Sequence, residues 1–311
     1  MPLCVFDISE DGSSATPTGS SLEGPARYRW WHFDLADPDL PEWSKTNLPL
    51  IPAEALLQQE TRPRCDTYED GLILNLRGIN LNEGQRTEDL VSIRMWVTDR
   101  AIVTVRVRRV FAIQDINKAA MAGFAPPTPA AFVTDLVTRL TARVQDEVAA
   151  VARRTEFFEA ALEDDTASIP PELTQTRRRV IRLNRYLDPQ RAALTSLSKA
   201  PLFSTPDHLA LRELANRTTM AVEELDAQRD RLSAVQDDHD LETARKQAAN
   251  SFLLSVGAGI FLPISFLTGL FGVNVVGMPG IDDPRAFYLL CITMTVLSAI
   301  LVLIIRRLKW L

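Results

Sequence analysis

Few groups in this sequence are equipped for chemistry, and they gather towards its C-terminal end. Asp237, Asp238, His239 and Asp240 are consecutive, with Asp226, Asp230 and Glu242 on the same stretch. An imidazole among carboxylates is a borderline ligand set for a zinc-like cation, and it would work across subunits. The plainer reading is a solvated helix face. Further on, Asp282 and Asp283 form a second acidic pair that would concentrate cations locally, or serve as ordinary loop acids. Tight metal ligation has little to draw on among 3 cysteines and 3 histidines. Cys4, Cys65 and Cys291 stand alone without a Cys-x-x-Cys pair, which argues against both a disulfide scaffold and a closed zinc–thiolate centre. No phosphate loop and no nucleophile beside a base is recognisable. The expectation is therefore no enzyme, no catalytic residue and no resident cofactor. A net charge of -6 disfavours nucleic acid as a partner.

The two acidic groups flank a run, residues 247–281, that has no charged side chain. Residues 252–271 are apolar enough to cross a hydrocarbon core of roughly 30 Å, which takes about 20 helical residues. A second uncharged run, 287–305, follows the short linker 281–285, so a two-helix transmembrane hairpin is expected. Pro263 breaks the backbone ladder of the first span and frees a carbonyl that neighbours must satisfy. At about 100° per residue, Gln247, Ser251, Leu254, Ser255, Ala258, Leu262 and Ser265 fall within roughly 80° of one line, which continues down to Asp240. Phe252, Ile260 and Phe266 lie well away from it. Such a small, weakly polar stripe fits a close helix–helix contact; it also fits the wall of a pore shared by identical subunits.

Arg245 and Lys246 precede the first span, and Arg306, Arg307 and Lys309 follow the second. The linker has Asp282 and Asp283 against Arg285 alone. Basic flanks stay cytoplasmic, so both termini and the soluble part are expected inside a cell's inner (plasma) membrane. The N-terminus has no basic segment ahead of an apolar one, so no signal peptide is expected.

Three parts are expected: an α/β subdomain over 1–125, a helical subdomain over 126–250 that includes the lower part of the long helix, and the hairpin over 251–311. In the first, strands are expected at 3–8, 26–35, 64–68, 72–79, 90–97 and 101–107, with a short helix over 52–60 starting at Pro52. The last two strands should form a hairpin. Ile93, Met95 and Val97 alternate with Arg94, Trp96 and Thr98, which predicts one buried face. Trp30, Trp31 and His32 read as sheet packing, and 77–82 as a strand end with turn residues.

After the Ala125-Pro126-Pro127-Thr128-Pro129 punctuation, helix dominates. Phe132, Leu136, Leu140, Val144, Val148 and Val151 recur at spacings of four and three, predicting a helix over 131–162. Ser168-Ile169-Pro170-Pro171 ends it. The next helix, 173–197, is expected to be interrupted or bent at Asp188-Pro189. Its cluster Arg177, Arg178, Arg179, Arg182, Arg185 and Arg191 reads as a face paired with acidic neighbours, with anion or lipid contact as the alternative. Ser204-Thr205-Pro206 then caps a helix that meets no further proline before Pro263. Run from 207 to 271, it would be about 100 Å long at ~1.5 Å per residue.

The loop carries a resemblance. Gly272-Val273-Asn274 followed by Gly277-Met278-Pro279-Gly280, set between two terminal spans, resembles the signature of the CorA-type metal ion transporter superfamily. There, Gly-Met-Asn closes the first of two C-terminal spans. Val in place of Met, and the Met-Pro-Gly that follows, look like the zinc-transporting ZntB branch. So do WWHFDLADPDLPEW (30–43), RGINLNEGQRTEDLVSIRMW (77–96) and LNRYLDPQRAAL (183–194). The resemblance implies a CorA-like funnel: an α+β domain with a mixed sheet and flanking helices, then long helices, assembled as a homopentamer with one pore helix per subunit. It implies transport of a divalent cation, zinc first, with magnesium, cobalt, nickel or cadmium as further cargo. Gly272, Val273 and Asn274 would form the selectivity loop, holding a hydrated cation through its waters by Asn274 carboxamides and Gly272 carbonyls. Proton coupling, which the ZntB branch is thought to use, would need titratable groups outside the spans, since neither span contains Asp, Glu, His, Lys or Arg. His239 is the leading candidate, because imidazole changes charge between about pH 5 and 8. A membrane-anchored pentameric sensor is the alternative from another class.

Overall fold

β-Branched and aromatic side chains at alternate positions build a mixed sheet whose two faces are both covered. The computed structural model describes residues 1–17, 19–163, 170–273 and 283–307. Ser168, Ile169, Asn274, the 277–280 segment, Asp282 and Lys309 lie outside the described residues. The strands are β1 (Cys4–Ile8), β2 (Ser14–Ala15), β3 (Tyr28–Asp34), β4 (Arg64–Tyr68), β5 (Gly71–Gly78), β6 (Val91–Val97) and β7 (Ala101–Arg106). Their order in the sheet is β2-β1-β3-β7-β6-β5-β4. β6 and β7 form the expected antiparallel hairpin, whereas β3 runs parallel to β7, with His32 opposite Thr104. The other pairings are antiparallel.

Side chains on successive strand residues point to opposite faces, so Trp30 and Trp31 enter different cores. Trp30, Leu74, Ile93, Met95 and Ile102 pack beneath Phe132, Leu136, Leu140, Leu194 and Leu211. Trp31, Phe33, Ile73, Trp96, Val103 and Val105 pack beneath Leu40, Ala53 and Leu56, which belong to α1 (Leu40–Asn47) and α2 (Leu50–Leu57). The expected single buried face of β6 is thus corrected: Trp96 is as buried as Met95, and Arg94 is fully buried. Alternation marks which side a residue takes; it does not say whether that side meets water. α1 was not anticipated, and α2 begins at Leu50 rather than Pro52, which is its third residue.

The remaining helices are α3 (Phe111–Met121), which was not anticipated, α4 (Pro129–Glu163), α5 (Glu172–Leu197), α6 (Thr205–Gly272) and α7 (Ala286–Arg307). α4, α5 and the first half of α6 form a second core through Val144, Val148, Val180, Leu183, Leu187, Val222 and Leu225. Each such side chain contributes about 1.5–3 kcal/mol on full burial. Pro189 does not divide α5; it lies inside a continuous helix, its missing N–H leaving one carbonyl without a helical donor. Half of the basic cluster on α5 is paired among the described residues. Arg179 meets Glu147 of α4, Arg182 lies 3.4 Å from Glu88, and Arg191 lies 2.6 Å from Asp188. At the start of α6, the Ser204 backbone N–H and hydroxyl both donate to the Asp207 carboxylate, at 3.1 and 2.5 Å, so the contact is the side-chain-to-N-cap half of a capping box.

His32 is buried in the sheet, its Nδ1 2.8 Å from Thr104 Oγ1. The Thr104 hydroxyl also receives the Trp30 indole N–H at 2.9 Å and donates to the Trp31 carbonyl at 3.1 Å. Its one proton being used there, the imidazole bears its own proton on Nδ1, an assignment made from the hydrogen-bond pattern. Burial, reinforced by the Arg106 charge, pushes His32 down to about 4. The triplet 30–32 is packing, as its sequence suggests.

By its internal contacts the chain divides into two units, Met1–Gln236 and Asp237–Leu311.

Candidate functional site

In the unit Asp237–Leu311 the uncharged part of α6 and most of α7 are long and apolar enough to cross a membrane. Each has one half-buried stripe. On α6 it is Phe252, Val256, Ile260, Pro263, Ile264 and Leu267, with Gly257 at its margin. On α7 it is Ala286, Leu290, Met294, Leu297, Ser298 and Leu301. Steps of three and four are the spacing of a helix–helix seam, so this side of each span has the spacing to serve as one.

The stripe singled out from spacing lies elsewhere. Gln247, Ser251, Leu254, Ser255, Ala258, Leu262 and Ser265 are all exposed, Leu254 at 76 % and Leu262 at 68 %. At about 100° per residue they occupy roughly the opposite side of α6 from the half-buried seam. Phe252, one residue from Ser251, is on the seam. Ser255 turns its hydroxyl back to the Ser251 carbonyl at 2.9 Å, and Thr268 does the same towards Ile264 at 3.1 Å. Thr293, Thr295 and Ser298 of α7 are bonded likewise, at 2.8, 2.9 and 2.8 Å. Hydroxyls satisfied in this way can reside in hydrocarbon without an unpaired donor.

α6 ends at Gly272, and Val273 beyond it is 53 % exposed. The last carbonyls of a helix lack intrahelical donors and form its negative end, which suits a cation. Asn274 lies outside the described residues, as does Asp282. Asp283 caps α7. Its carboxylate accepts the Arg285 N–H at 2.9 Å, and its carbonyl accepts the Ala286 N–H at 3.0 Å.

At the other end, Asp237, Asp238 and Asp240 are exposed and His239 is half-buried. Among the described residues, no group of three or more His, Cys, Asp or Glu side chains gathers into a ligand set within one chain. Neighbouring acids are engaged elsewhere. Asp226 accepts from Asn184 at 2.6 Å, Asp230 lies 3.2 Å from Arg229, and Glu242 lies 2.5 Å from Lys246. The bond to that ammonium holds the Glu242 carboxyl below the usual range.

The first unit holds something that spacing did not reveal: a cavity of about 800 Å3 whose wall includes Arg62, Arg77, Arg108 and Arg185. Arg94 lies fully buried beside it. The available signal was weak: two arginines, Arg77 and Arg94, at same-face positions of strands with covered faces.

Residues 25–307 match the family described as CorA-like Mg2+ transporter protein. The chain is 34% identical over 294 residues to the divalent cation transporter CmaX of Pseudomonas aeruginosa, covering 92% of this chain and 89% of that one. It is 33% identical over 290 residues to the zinc transport protein ZntB of Pectobacterium carotovorum, covering 91% and 88%. A solved structure of the full-length CmaX protein superimposes with a TM-score of 0.85 at 31% identity, covering 99% of this chain and 98% of that one. On match length, identity and fold together, this chain belongs to the CorA-like transporter family.

Proposed function

We propose that this chain transports divalent metal cations, zinc first among them, along the axis of a homopentamer lined by α6. One observation carries the reading: the small, weakly polar face from Gln247 to Ser265 is turned away from the hairpin seam and stays exposed in the single chain. A two-helix anchor would need no such face, whereas fivefold assembly around it gives a narrow lumen. Gly272, Val273 and Asn274 would then ring the outer mouth, with the negative helix ends adding attraction for a cation. Zn2+ and Mg2+ hold their waters tightly, so selection through water-mediated bonds to carboxamides and carbonyls costs less than bare ligation. Asp237, Asp238, His239 and Asp240 would stand at the inner side, with both termini and the first unit in the cytoplasm. Any proton coupling runs through groups outside the spans, His239 foremost.

Zinc follows the ZntB relatives' name, while magnesium follows the family description. The deciding experiment is uptake into liposomes containing only this protein, with a fluorescent zinc reporter inside and magnesium, cobalt, nickel or cadmium as competitors. Zinc uptake that depends on the protein is the expected result; a pentamer that moves no divalent cation would identify a membrane-anchored sensor instead.

A further inference from the structure

We propose that the cavity beside the ends of β5 and β6 is a binding site for a small, multiply charged phosphate-bearing anion. At about 800 Å3 it is large enough for a nucleotide-sized molecule. It is bounded by the segment after α2, by β5 and β6, by residues 107–108 and by α5. Its charged lining is Arg62, Arg77, Arg108 and Arg185 against Glu60 and Asp89. Asp89 already faces Arg182 at 3.8 Å. None of the four lining arginines forms a salt bridge among the described residues.

Behind the wall stands a fifth guanidinium. Arg94 is fully buried, and it donates to the Gln59 carbonyl at 3.1 Å and the Ser92 hydroxyl at 3.4 Å, both residues of the lining. No carboxylate pairs with it among the described residues. The Nε atoms of Arg94 and Arg77 have no acceptor there either. Asn75, directly across from Arg94 on β5, is buried with neither amide atom bonded. Burial, with the Arg77 charge added, pulls Arg94 down to about 10, and burial lowers Arg77 too. Two like charges held together in a poorly solvated place need a counter-charge, and these strands supply none.

The geometry of the donors selects the ligand class. A guanidinium presents a planar fork that matches phosphate oxygens two at a time. Arg77 spends one N–H of each terminal nitrogen on the carbonyls of Leu90 and Thr61, at 3.0 and 2.6 Å, leaving donors for a ligand. Its guanidinium is further fixed by lying 4.5 Å over the Tyr186 ring, with Arg185 5.6 Å from the same ring. Several such forks around one cavity favour several phosphate oxygens over a single carboxylate.

The test uses the full chain in detergent micelles, free of divalent metal with EDTA present, so that chelation of cargo cannot contribute. Inorganic phosphate, pyrophosphate and ATP are titrated in by calorimetry, with citrate as the carboxylate polyanion. Saturable binding of pyrophosphate or ATP, one per subunit, is expected. Arg77→Met should weaken it by about tenfold or more, the loss expected for a charge-assisted contact. Arg62→Gln with Arg108→Gln, on the exposed rim, should weaken it severalfold without moving the thermal midpoint of the unliganded protein, so the test survives if Arg77→Met fails to fold. Equal affinity for pyrophosphate and ATP would assign recognition to the phosphates; tighter ATP would add the nucleoside; either supports the site. No saturable binding of all three, affinities unchanged in the rim variant, or citrate binding as tightly as pyrophosphate would overturn it. Transport is not part of the readout, so failure here leaves the proposed cation pathway standing.

Discussion

Acidification should loosen the first unit through a single side chain, His32. Its imidazole sits between β3 and β7, held near 4 by burial and the Arg106 charge, with Asp34 opposing. An unfolded histidine titrates near 6.5. The folded value is the lower one, so the stability tied to the neutral ring is complete above about pH 6.5 and is lost as the pH falls towards 4. Between those limits the unfolded chain holds a proton that the folded chain does not, at about 1.4 kcal/mol per pH unit. From pH 7 to pH 5 the loss is about 2 kcal/mol, or about 4–8 °C in unfolding midpoint for a unit of this size. His32→Asn keeps a donor near the Thr104 hydroxyl and removes the titration. Thermal unfolding followed by tryptophan fluorescence, with Trp30 and Trp31 adjacent, should show wild type falling by that margin more than the variant. If both lose the same amount between pH 7 and 5, the ring is not the acid-sensitive element.

Three further outcomes concern the transport reading. Asn274→Ala should reduce zinc flux at least tenfold, as loss of the carboxamide oxygen that accepts from the cation's waters would, while the oligomer still assembles on native gels; near-normal uptake removes the loop from the mechanism. Ser251→Phe or Ala258→Phe should block flux by placing bulky rings on the exposed face of α6, whereas Phe252→Ala, on the seam, should cost about 1–2 kcal/mol of hairpin packing and leave flux in place. Block by the 252 change alone, measured in the same liposomes, would show that the phase assigned to α6 is wrong. His239→Gln should flatten the response of zinc uptake to a pH gradient more than Asp282→Asn combined with Asp283→Asn, since Asp283 is occupied in capping α7; an unchanged response in all variants would mean that protons are not coupled through these groups.

What could be read from the chain, and what could not, divides along a physical line. A long periodic pattern carried through to the structure: the helix with Phe132, Leu136 and Leu140 facing the sheet follows from local spacing. The parallel pairing of β3 with β7 is non-local and has no marker in either strand. Whether the second face of β6 meets water depends on α1 and α2, which come from sequence more than 30 residues earlier, so Arg94 looked solvated when it is buried. Pro189 looked like a break because a proline removes one hydrogen bond, yet Leu183, Leu187 and Leu194 stay buried and hold the helix together across it. The arginine-lined cavity was illegible for the same reason as the sheet: its wall is assembled from five separate pieces of chain.

Placed in a bilayer, residues 251–272 and 286–305 of the hairpin have no charged side chain to be moved by an electric field. A charged group crossing the membrane potential would be worth about 2.3 kcal/mol per 100 mV, and here that lever is missing. Rotation of a span about its own axis therefore moves no side-chain charge through the field. On the proposed function, steepness in a current–voltage relation would then come from the permeating ion's own charge, the distance it travels through the field and the helix-end dipoles, with no side-chain charge of the spans contributing.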